Sequence, residues 1–153
     1  GGQELDEVTC ELTYGLERLA MYIQNVENVY DLVWTKLPSG QTVTYGDVHL
    51  QDEREFSHHN FHHANVEILW QQFNDCQAEA TRMVELGLPL PAYDYILRSS
   101  HLFNVLDARG AVQAVDRPLY IGKVRNMFKA CADAYVESRR KLGFPMLKQE
   151  QTV

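Results

Sequence analysis

Cysteine and long apolar runs are both scarce in this 153-residue chain. The three cysteines, Cys10, Cys76 and Cys131, are odd in number and widely spaced, which fits neither a disulfide framework nor a metal-binding knuckle. No stretch reaches the roughly 18 apolar residues that a membrane-spanning helix needs, and no charged-then-apolar leader is visible. We therefore exclude disulfide-rich and membrane-spanning classes and expect a cytoplasmic protein.

Positive charge is also scarce, and it is unevenly distributed. The formal net charge is −7, which argues against a protein that binds nucleic acid over its whole surface. Residues 1–75 hold 3 Lys and Arg against 13 Asp and Glu, whereas residues 76–153 hold 11 against 8. Much of the positive charge falls on the last predicted helix, which ends in Arg139, Arg140 and Lys141. These three form a solvated helix face or contact RNA phosphates or an acidic partner subunit.

The N-terminal part of the chain is predicted to form a series of short secondary-structure elements. Alternating apolar and polar side chains predict a strand near Val8 to Thr13, and helical spacing predicts a helix over residues 16–24. Asn28 to Asp31 fit a short helical turn, because Asn and Asp are good caps. Apolar residues on both sides of the turn at 38–40 predict a small hairpin.

The remaining pattern is helical and predicts a bundle. Asn65 is the expected N-cap of a long helix that ends at Gly87. Residues 88–91 contain two prolines and predict an extended elbow, with Pro91 in the first turn of the next helix. A last helix is predicted from about Arg117 until Gly143.

The expected fold is therefore mainly α, with an α+β remnant that consists of the N-terminal strand, the first helix and the hairpin. We place these elements in residues 1–46, a helical domain in residues 47–147 and a frayed tail in residues 148–153.

The junction between the predicted strand and the first helix carries candidate binding residues. Gly15 marks the change of period, and a glycine lets backbone approach a flat ligand. Arg18 follows three residues later and offers a planar fork of donors that suits phosphate. The alternatives are a plain strand-to-helix junction for Gly15 and an exposed helix arginine for Arg18. Together the two residues indicate a nucleotide site.

The same junction resembles motif 3 of the class II aminoacyl-tRNA synthetases, in which a strand runs into a helix through a glycine and a Glu-Arg pair. More narrowly, the chain resembles the alpha subunit of the bacterial tetrameric glycyl-tRNA synthetase. The resemblance covers essentially the whole chain, and it is carried by residues 29–34, 45–49, 90–94, 103–111 and 142–146 and by the block Thr13-Tyr14-Gly15-Leu16-Glu17-Arg18-Leu19-Ala20-Met21-Tyr22-Ile23-Gln24.

The resemblance implies roles for three residues of the junction. Arg18 would be catalytic and would contact ATP at its γ-phosphate and adenine, neutralising charge while the α-phosphate is attacked. Gly15 would let the backbone pack against adenine. Glu17 would orient Arg18 or assist the magnesium ion that ATP carries, or it is an acid favoured by the helix dipole in the first turn.

The resemblance also implies an activity and a set of partners. The enzyme would activate glycine with ATP and Mg²⁺ and transfer it to tRNA(Gly), and it would assemble from two alpha subunits and a beta subunit. Motif 1, motif 2 and the glycine pocket of that family would precede Gly1, so we expect a C-terminal fragment that is inactive alone and holds no cofactor by itself.

Four histidines, His58, His59, His62 and His63, raise the question of a metal site. At helical spacing His58 shares a face with His62, and His59 shares one with His63, as paired zinc ligands do. No Cys or acidic residue completes three or four ligands at convincing spacing. We predict no physiological metal here and interpret the segment as a polar surface helix.

Asp107 and Arg109 are interpreted as structural residues. An aspartate on the apolar side of a helix needs a partner, and Arg117 or Arg125 could supply one. An RNA contact is the alternative for Arg109. For the chain as a whole, the alternatives to a synthetase are a non-catalytic helical module that binds a partner subunit or RNA, and a metal-binding domain built on the histidines.

Overall fold

The computed structural model describes Glu4 and residues 8–147, and these residues form a mainly helical protein with one small sheet. The predicted fold class is confirmed. None of the helices in the described part of the chain is long and apolar enough to cross a membrane. In chain order the elements are α1 (Leu16–Gln24), a 3-10 turn (Val29–Asp31), β1 (Val33–Lys36), β2 (Thr42–Thr44), α2 (Tyr45–His58), a π-helix (His59–His63), α3 (Val66–Glu85), α4 (Pro89–Ala108) and α5 (Arg117–Lys141).

Two compact units divide the chain between His63 and Ala64. We call residues 8–63 the hairpin unit and residues 64–147 the bundle unit. The sequence analysis predicted a domain boundary earlier, between residues 46 and 47. In the structure, α2 contacts the 3-10 turn, the π-helix and β2. By its contacts, therefore, α2 groups with the hairpin. The predicted tail at residues 148–153 lies outside the described residues.

Residues 8–15 form no strand, so the predicted strand near Val8 to Thr13 is wrong. Leu12 and Tyr14, expected on a half-buried face, are 74% and 65% exposed. A strand forms by pairing with a neighbour, and in the described residues the only sheet consists of β1 and β2. Alternation in a sequence assigns side chains to faces, but it does not supply the backbone partner that makes a strand.

The hairpin and the short helical turn before it are confirmed. Asn28 caps the 3-10 turn, because its side chain accepts a hydrogen bond from the backbone N–H of Tyr30. Strands β1 and β2 then pair in antiparallel fashion, with a register irregularity between Val33 and Thr35. Gly40 provides the turn at a positive φ of 86°, which a glycine adopts without a steric penalty.

A capping box starts α2 where β2 ends. The Thr44 side chain accepts a hydrogen bond from the backbone N–H of Asp47, and the Asp47 carboxylate accepts one from the backbone N–H of Thr44 at 2.8 Å. These reciprocal bonds satisfy donors that a helix start otherwise leaves unpaired. The Asp47 carboxylate also accepts a hydrogen bond from the Thr44 hydroxyl at 2.9 Å. The backbone bond from Thr44 to this carboxylate, and to a smaller extent the hydroxyl bond, lower the pKa of Asp47 below its usual value.

The bundle helices begin and end close to the predicted positions, with one correction. The side chain of Asn65 caps α3 by accepting from the backbone N–H of Ile68, and Gly87 follows the helix with a φ of 71°. The predicted elbow at residues 88–91 is wrong, because α4 already begins at Pro89. Both prolines fit there since the first turn of a helix leaves its N–H groups without intrahelical partners.

The hydrophobic core lies in the bundle unit and forms two clusters. In the first, Phe73 from α3 and Leu106 from α4 are fully buried, and Val124 from α5 packs with them. In the second, Ile96 and Ala92 from α4 are fully buried, and Cys131 from α5 lies against them. Each cluster draws on all three helices, so removing α5 would expose both.

Candidate nucleotide-binding site

The start of α1 has the backbone geometry that its glycine predicts. Gly15 precedes the helix with φ 75° and ψ 123°, a conformation that residues with a Cβ rarely adopt. A Cβ built at Gly15 would meet no atom of the described residues within 4 Å. Glycine is therefore required by the backbone conformation and not by crowding from the described residues, and the surface beside it is open to a ligand.

Among the described residues, no side chain caps the first turn of α1. Its leading backbone N–H groups, which have no intrahelical partner in any α-helix, therefore lack a side-chain acceptor there, and the helix dipole adds positive character at this end. Glu17 and Arg18 lie in this first turn and are exposed. The structure thus brings together the three predicted residues Gly15, Glu17 and Arg18 at one helix end. Free amides and a guanidinium at a helix N-terminus attract phosphate groups.

The side chains of helix α1 are largely exposed to solvent. None of its residues is buried, and Leu16, Tyr22 and Ile23 are 80% or more exposed. Its C-terminal end is closed by Asn25 in the left-handed conformation, with φ 53°. The Gln24 side chain reaches from the last turn to the backbone of Val33 in β1. The helix carrying Arg18 is therefore held mainly at the end away from Arg18.

The basic residues Arg139, Arg140 and Lys141 occupy the last turn of α5. Cations at this end of a helix are stabilised by the helix dipole, which is a sufficient structural reason for all three. Arg140 also forms an ion pair with Glu137 one turn earlier, and Arg139 is partly buried. Within residues 8–147 no ion pair engages Arg139 or Lys141. The turn is therefore both structurally explained and available to a partner.

Three of the four histidines lie in the π-helix and His58 ends α2, and their pairing differs from the predicted one. His58 approaches His62, with ring centroids 5.7 Å apart, but it also stacks on His63 at 6.2 Å with an interplanar angle of 13°. His59 instead meets Asn60, with 2.9 Å between its Nδ1 and the amide oxygen. In the described residues no group of three or more His, Cys, Asp or Glu side chains is arranged to hold a metal ion.

The structural interpretation of Asp107 is confirmed. Arg117 Nε donates to Asp107 Oδ2 at 2.9 Å, joining the end of α4 to the start of α5. Arg109 donates from Nε to the backbone carbonyl of Ala64 at 3.2 Å and is partly buried. This bond gives Arg109 a structural role inside the bundle unit.

The two cysteines of the bundle unit are not activated thiols. Burial raises the pKa of both Cys76 and Cys131, and the Cys131 thiol donates to the backbone carbonyl of Pro89 at 3.3 Å. A raised pKa keeps a thiol protonated at neutral pH, and the thiolate is the nucleophilic form. Nucleophilic catalysis by these two residues is thus disfavoured.

Sequence reasoning missed two polar contacts of the hairpin unit. The capping box of Thr44 and Asp47 had a readable signal, a threonine followed three residues later by an acid at the start of a helical pattern. The pairing of Gln24 with Val33 had no such signal. A glutamine at the end of a helix is common, and its partner lies nine residues away.

The comparison with known families gives this site its context. A sequence model described as glycyl-tRNA synthetase alpha subunit matches residues 1–140, nearly the whole chain. The match shows that the chain is a subunit of an aminoacyl-tRNA synthetase, a class of ligase. More particularly, the chain belongs to the glycyl-tRNA synthetase alpha subunit family. The resemblance found in the sequence is confirmed, and the chain has a role in joining glycine to tRNA.

Proposed function

We propose that this chain contributes the Gly15–Arg18 end of α1 to the ATP site of a class II glycine–tRNA ligase. The observation that carries the proposal is the open N-terminus of α1, with Glu17 and Arg18 exposed in its first turn, in a chain of this family. The enzyme activates glycine with ATP to give glycyl-adenylate and pyrophosphate. The terminal ribose of tRNA(Gly) then takes the glycyl group from glycyl-adenylate, and AMP is released.

Each residue of the site has a defined part in this proposal. The Arg18 guanidinium lies against the γ-phosphate and adenine of ATP and offsets the charge that develops during attack on the α-phosphate. Gly15 leaves the backbone bare so that it packs against adenine. Glu17 orients Arg18 or offers a carboxylate to Mg²⁺, which proteins usually bind through one or two carboxylates together with substrate phosphates. Mg²⁺ would neutralise phosphate charge.

The proposal includes an assembly. A second alpha subunit, a beta subunit, tRNA(Gly), glycine and ATP are the partners, and the cytoplasm is the compartment. Family membership supports an alpha–beta arrangement in general terms. We further propose that the 153-residue chain alone does not make glycyl-adenylate.

The test is glycine-dependent ATP–pyrophosphate exchange by the alpha–beta enzyme carrying Arg18→Ala. We expect kcat/KM to fall about 100- to 1,000-fold, the loss typical of removing one preorganised group that stabilises developing charge. Arg54→Ala is the matched control, because Arg54 is also an exposed arginine on a helix of the hairpin unit. Full exchange activity of Arg18→Ala would contradict the role of Arg18. Activity of the 153-residue chain by itself would contradict its proposed dependence on the larger enzyme.

A second candidate function is a non-catalytic contact through the end of α5. It is favoured by the concentration of positive charge in the last turn, where Arg139 and Lys141 have no ion pair within residues 8–147. Reversal of Arg139 and Arg140 to Glu should weaken binding to tRNA or to the beta subunit and reduce its dependence on salt. Reversal of Arg82 and Arg98, exposed on other bundle helices and each ion-paired, is the control of equal charge. Equal binding by both double variants would contradict this candidate.

A further inference from the structure

The side-chain amide of Gln24 pairs with both backbone groups of a single strand residue. Its Oε1 accepts a hydrogen bond from the N–H of Val33 at 2.7 Å, and its Nε2 donates to the carbonyl of Val33 at 3.1 Å. Gln24 is the last residue of α1, and Val33 is the first residue of β1. The Gln24 side chain thus makes the same pair of hydrogen bonds to Val33 that a residue of a neighbouring antiparallel strand would make.

Little else holds α1 in place within the hairpin unit. None of its residues is buried, and its largest apolar side chains are exposed. Among the side-chain hydrogen bonds within residues 8–147, only the two that Gln24 makes with Val33 connect α1 to another element. Because apolar packing is weak here, the direction of the helix axis depends on this polar contact.

The partner of Gln24 belongs to a well-anchored element. Leu32, directly before Val33, is 4% exposed, and its carbonyl accepts from the N–H of Tyr45 at 2.7 Å. The capping box then ties β2 to the start of α2. Gln24 therefore attaches a loosely packed helix to a firmly bonded hairpin.

We propose that Gln24 is a positioning residue for ATP, and that it acts through Arg18. The two residues are six positions apart on one helix, about 9 Å along its axis. A rotation of α1 about its Gln24 end therefore moves the first turn and carries the Arg18 guanidinium away from the phosphates. This inference rests on the proposed function, since Arg18 must contact ATP for Gln24 to matter.

The test uses ATP–pyrophosphate exchange by the alpha–beta enzyme with Gln24→Ala. We expect the KM for ATP to rise about 3- to 10-fold, because two exposed hydrogen bonds are lost, while the KM for glycine stays unchanged. Gln51→Ala is the matched control. Gln51 is also an exposed glutamine of the hairpin unit. Among the described residues its side chain bonds only to Glu55 within α2, so its loss should leave both constants unchanged. Gln24→Glu, which keeps an acceptor for the Val33 N–H but loses the donor, should lie between wild type and Gln24→Ala.

A double variant separates positioning from general loss of structure. If Gln24 acts through Arg18, then Gln24→Ala added to Arg18→Ala lowers kcat/KM no further than Arg18→Ala alone. An unchanged KM for ATP in Gln24→Ala, or a double variant with the full product of both losses, overturns the inference while Arg18 keeps its role. Full activity of Arg18→Ala overturns the proposed function and this inference together.

Discussion

Different forces stabilise the hairpin unit and the bundle unit. Among residues 8–63 only Leu32 is buried. In residues 64–147 Phe73, Ile96 and Leu106 are fully buried within two clusters to which three helices contribute. Full burial of one large apolar side chain contributes about 1.5–3 kcal/mol, whereas a typical hydrogen bond contributes about 1 kcal/mol net. The bundle unit is therefore stabilised mainly by apolar burial, and the hairpin unit by local hydrogen bonds.

This difference places the proposed ATP-binding residues where burial is least. Gly15 and Arg18 lie on a helix that keeps its surface exposed, and that helix is tied down through Gln24. Elements that contact ligands are commonly drawn from the less stable parts of a protein. Substitutions in the two units should accordingly change the free energy of unfolding by different amounts. In one matched case the changes should have opposite signs.

The largest expected effect comes from the core of the bundle unit. Phe73→Ala should lower the free energy of unfolding by about 3–5 kcal/mol, because Phe73 is fully buried and its loss leaves a cavity. Tyr22→Ala on α1 should change it by less than about 0.5 kcal/mol, since Tyr22 is 88% exposed. Denaturant unfolding measures both values. Similar losses for the two variants would break the comparison.

A glycine-to-alanine substitution should change the free energy of unfolding in opposite directions in the two units. A Cβ at Gly46 would lie 3.0 Å from the backbone oxygen of Tyr30 and 3.1 Å from its Cβ, so Gly46→Ala should destabilise by about 1–3 kcal/mol. A Cβ at Gly122 in α5 would meet no atom of residues 8–147 within 4 Å. Gly122→Ala should therefore stabilise by about 0.5–1 kcal/mol through helix propensity. Thermal unfolding of the two variants measures the difference, and a stabilising Gly46→Ala would contradict the contact with Tyr30.

A buried hydroxyl gives a smaller, stabilising effect in the bundle unit. Ser99 is fully buried, and its Oγ has no hydrogen-bond partner among the described residues. Ser99→Ala should raise the free energy of unfolding by about 1 kcal/mol, because it removes an unsatisfied polar group from the core. Ser138→Ala is the control, as the Ser138 hydroxyl donates to the carbonyl of Tyr135 at 2.8 Å. Destabilisation by Ser99→Ala would show that its hydroxyl is satisfied in solution.

The smallest expected effect concerns pH and the capping box of the hairpin unit. The hydrogen bonds from Thr44 lower the pKa of Asp47, so their contribution to stability is present at neutral pH and is lost as the pH falls below about 4. Thr44→Val removes the hydroxyl and should raise the pKa of Asp47 toward its usual value. NMR titration of the Asp47 carboxyl carbon measures the shift. An identical pKa in both proteins would exclude the hydroxyl as a cause.

The helices were predictable because their ends carry local signals. Asn65 and Gly87 bound α3, and Arg117 begins α5 as expected. The first turn of α4 was misassigned at Pro89 because the prolines were interpreted as helix breakers. Proline lacks a backbone N–H, but the first turn of a helix makes no intrahelical bond through its N–H groups, so nothing is lost there. The strand near Val8 was misassigned because pairing is a non-local property.

The candidate site was predictable only in part. Gly15, Glu17 and Arg18 were chosen from a spacing that the family resemblance made specific, and the structure places them at one helix end. The contact between Gln24 and Val33 depends on the path of the chain through the 3-10 turn. The stacking of His58 on His63 depends on a π-helix, which α-helical spacing does not predict.

The bond from Arg109 to the carbonyl of Ala64 has a consequence for the order of folding. It joins the end of α4 to the residue just before the Asn65 cap of α3, and only residues 86–88 connect these two helices at the other end. Helix pairs closed by short loops form quickly, because little chain entropy is lost before their contacts form. We expect the pair α3 and α4 to fold first and α5 to dock onto it afterwards.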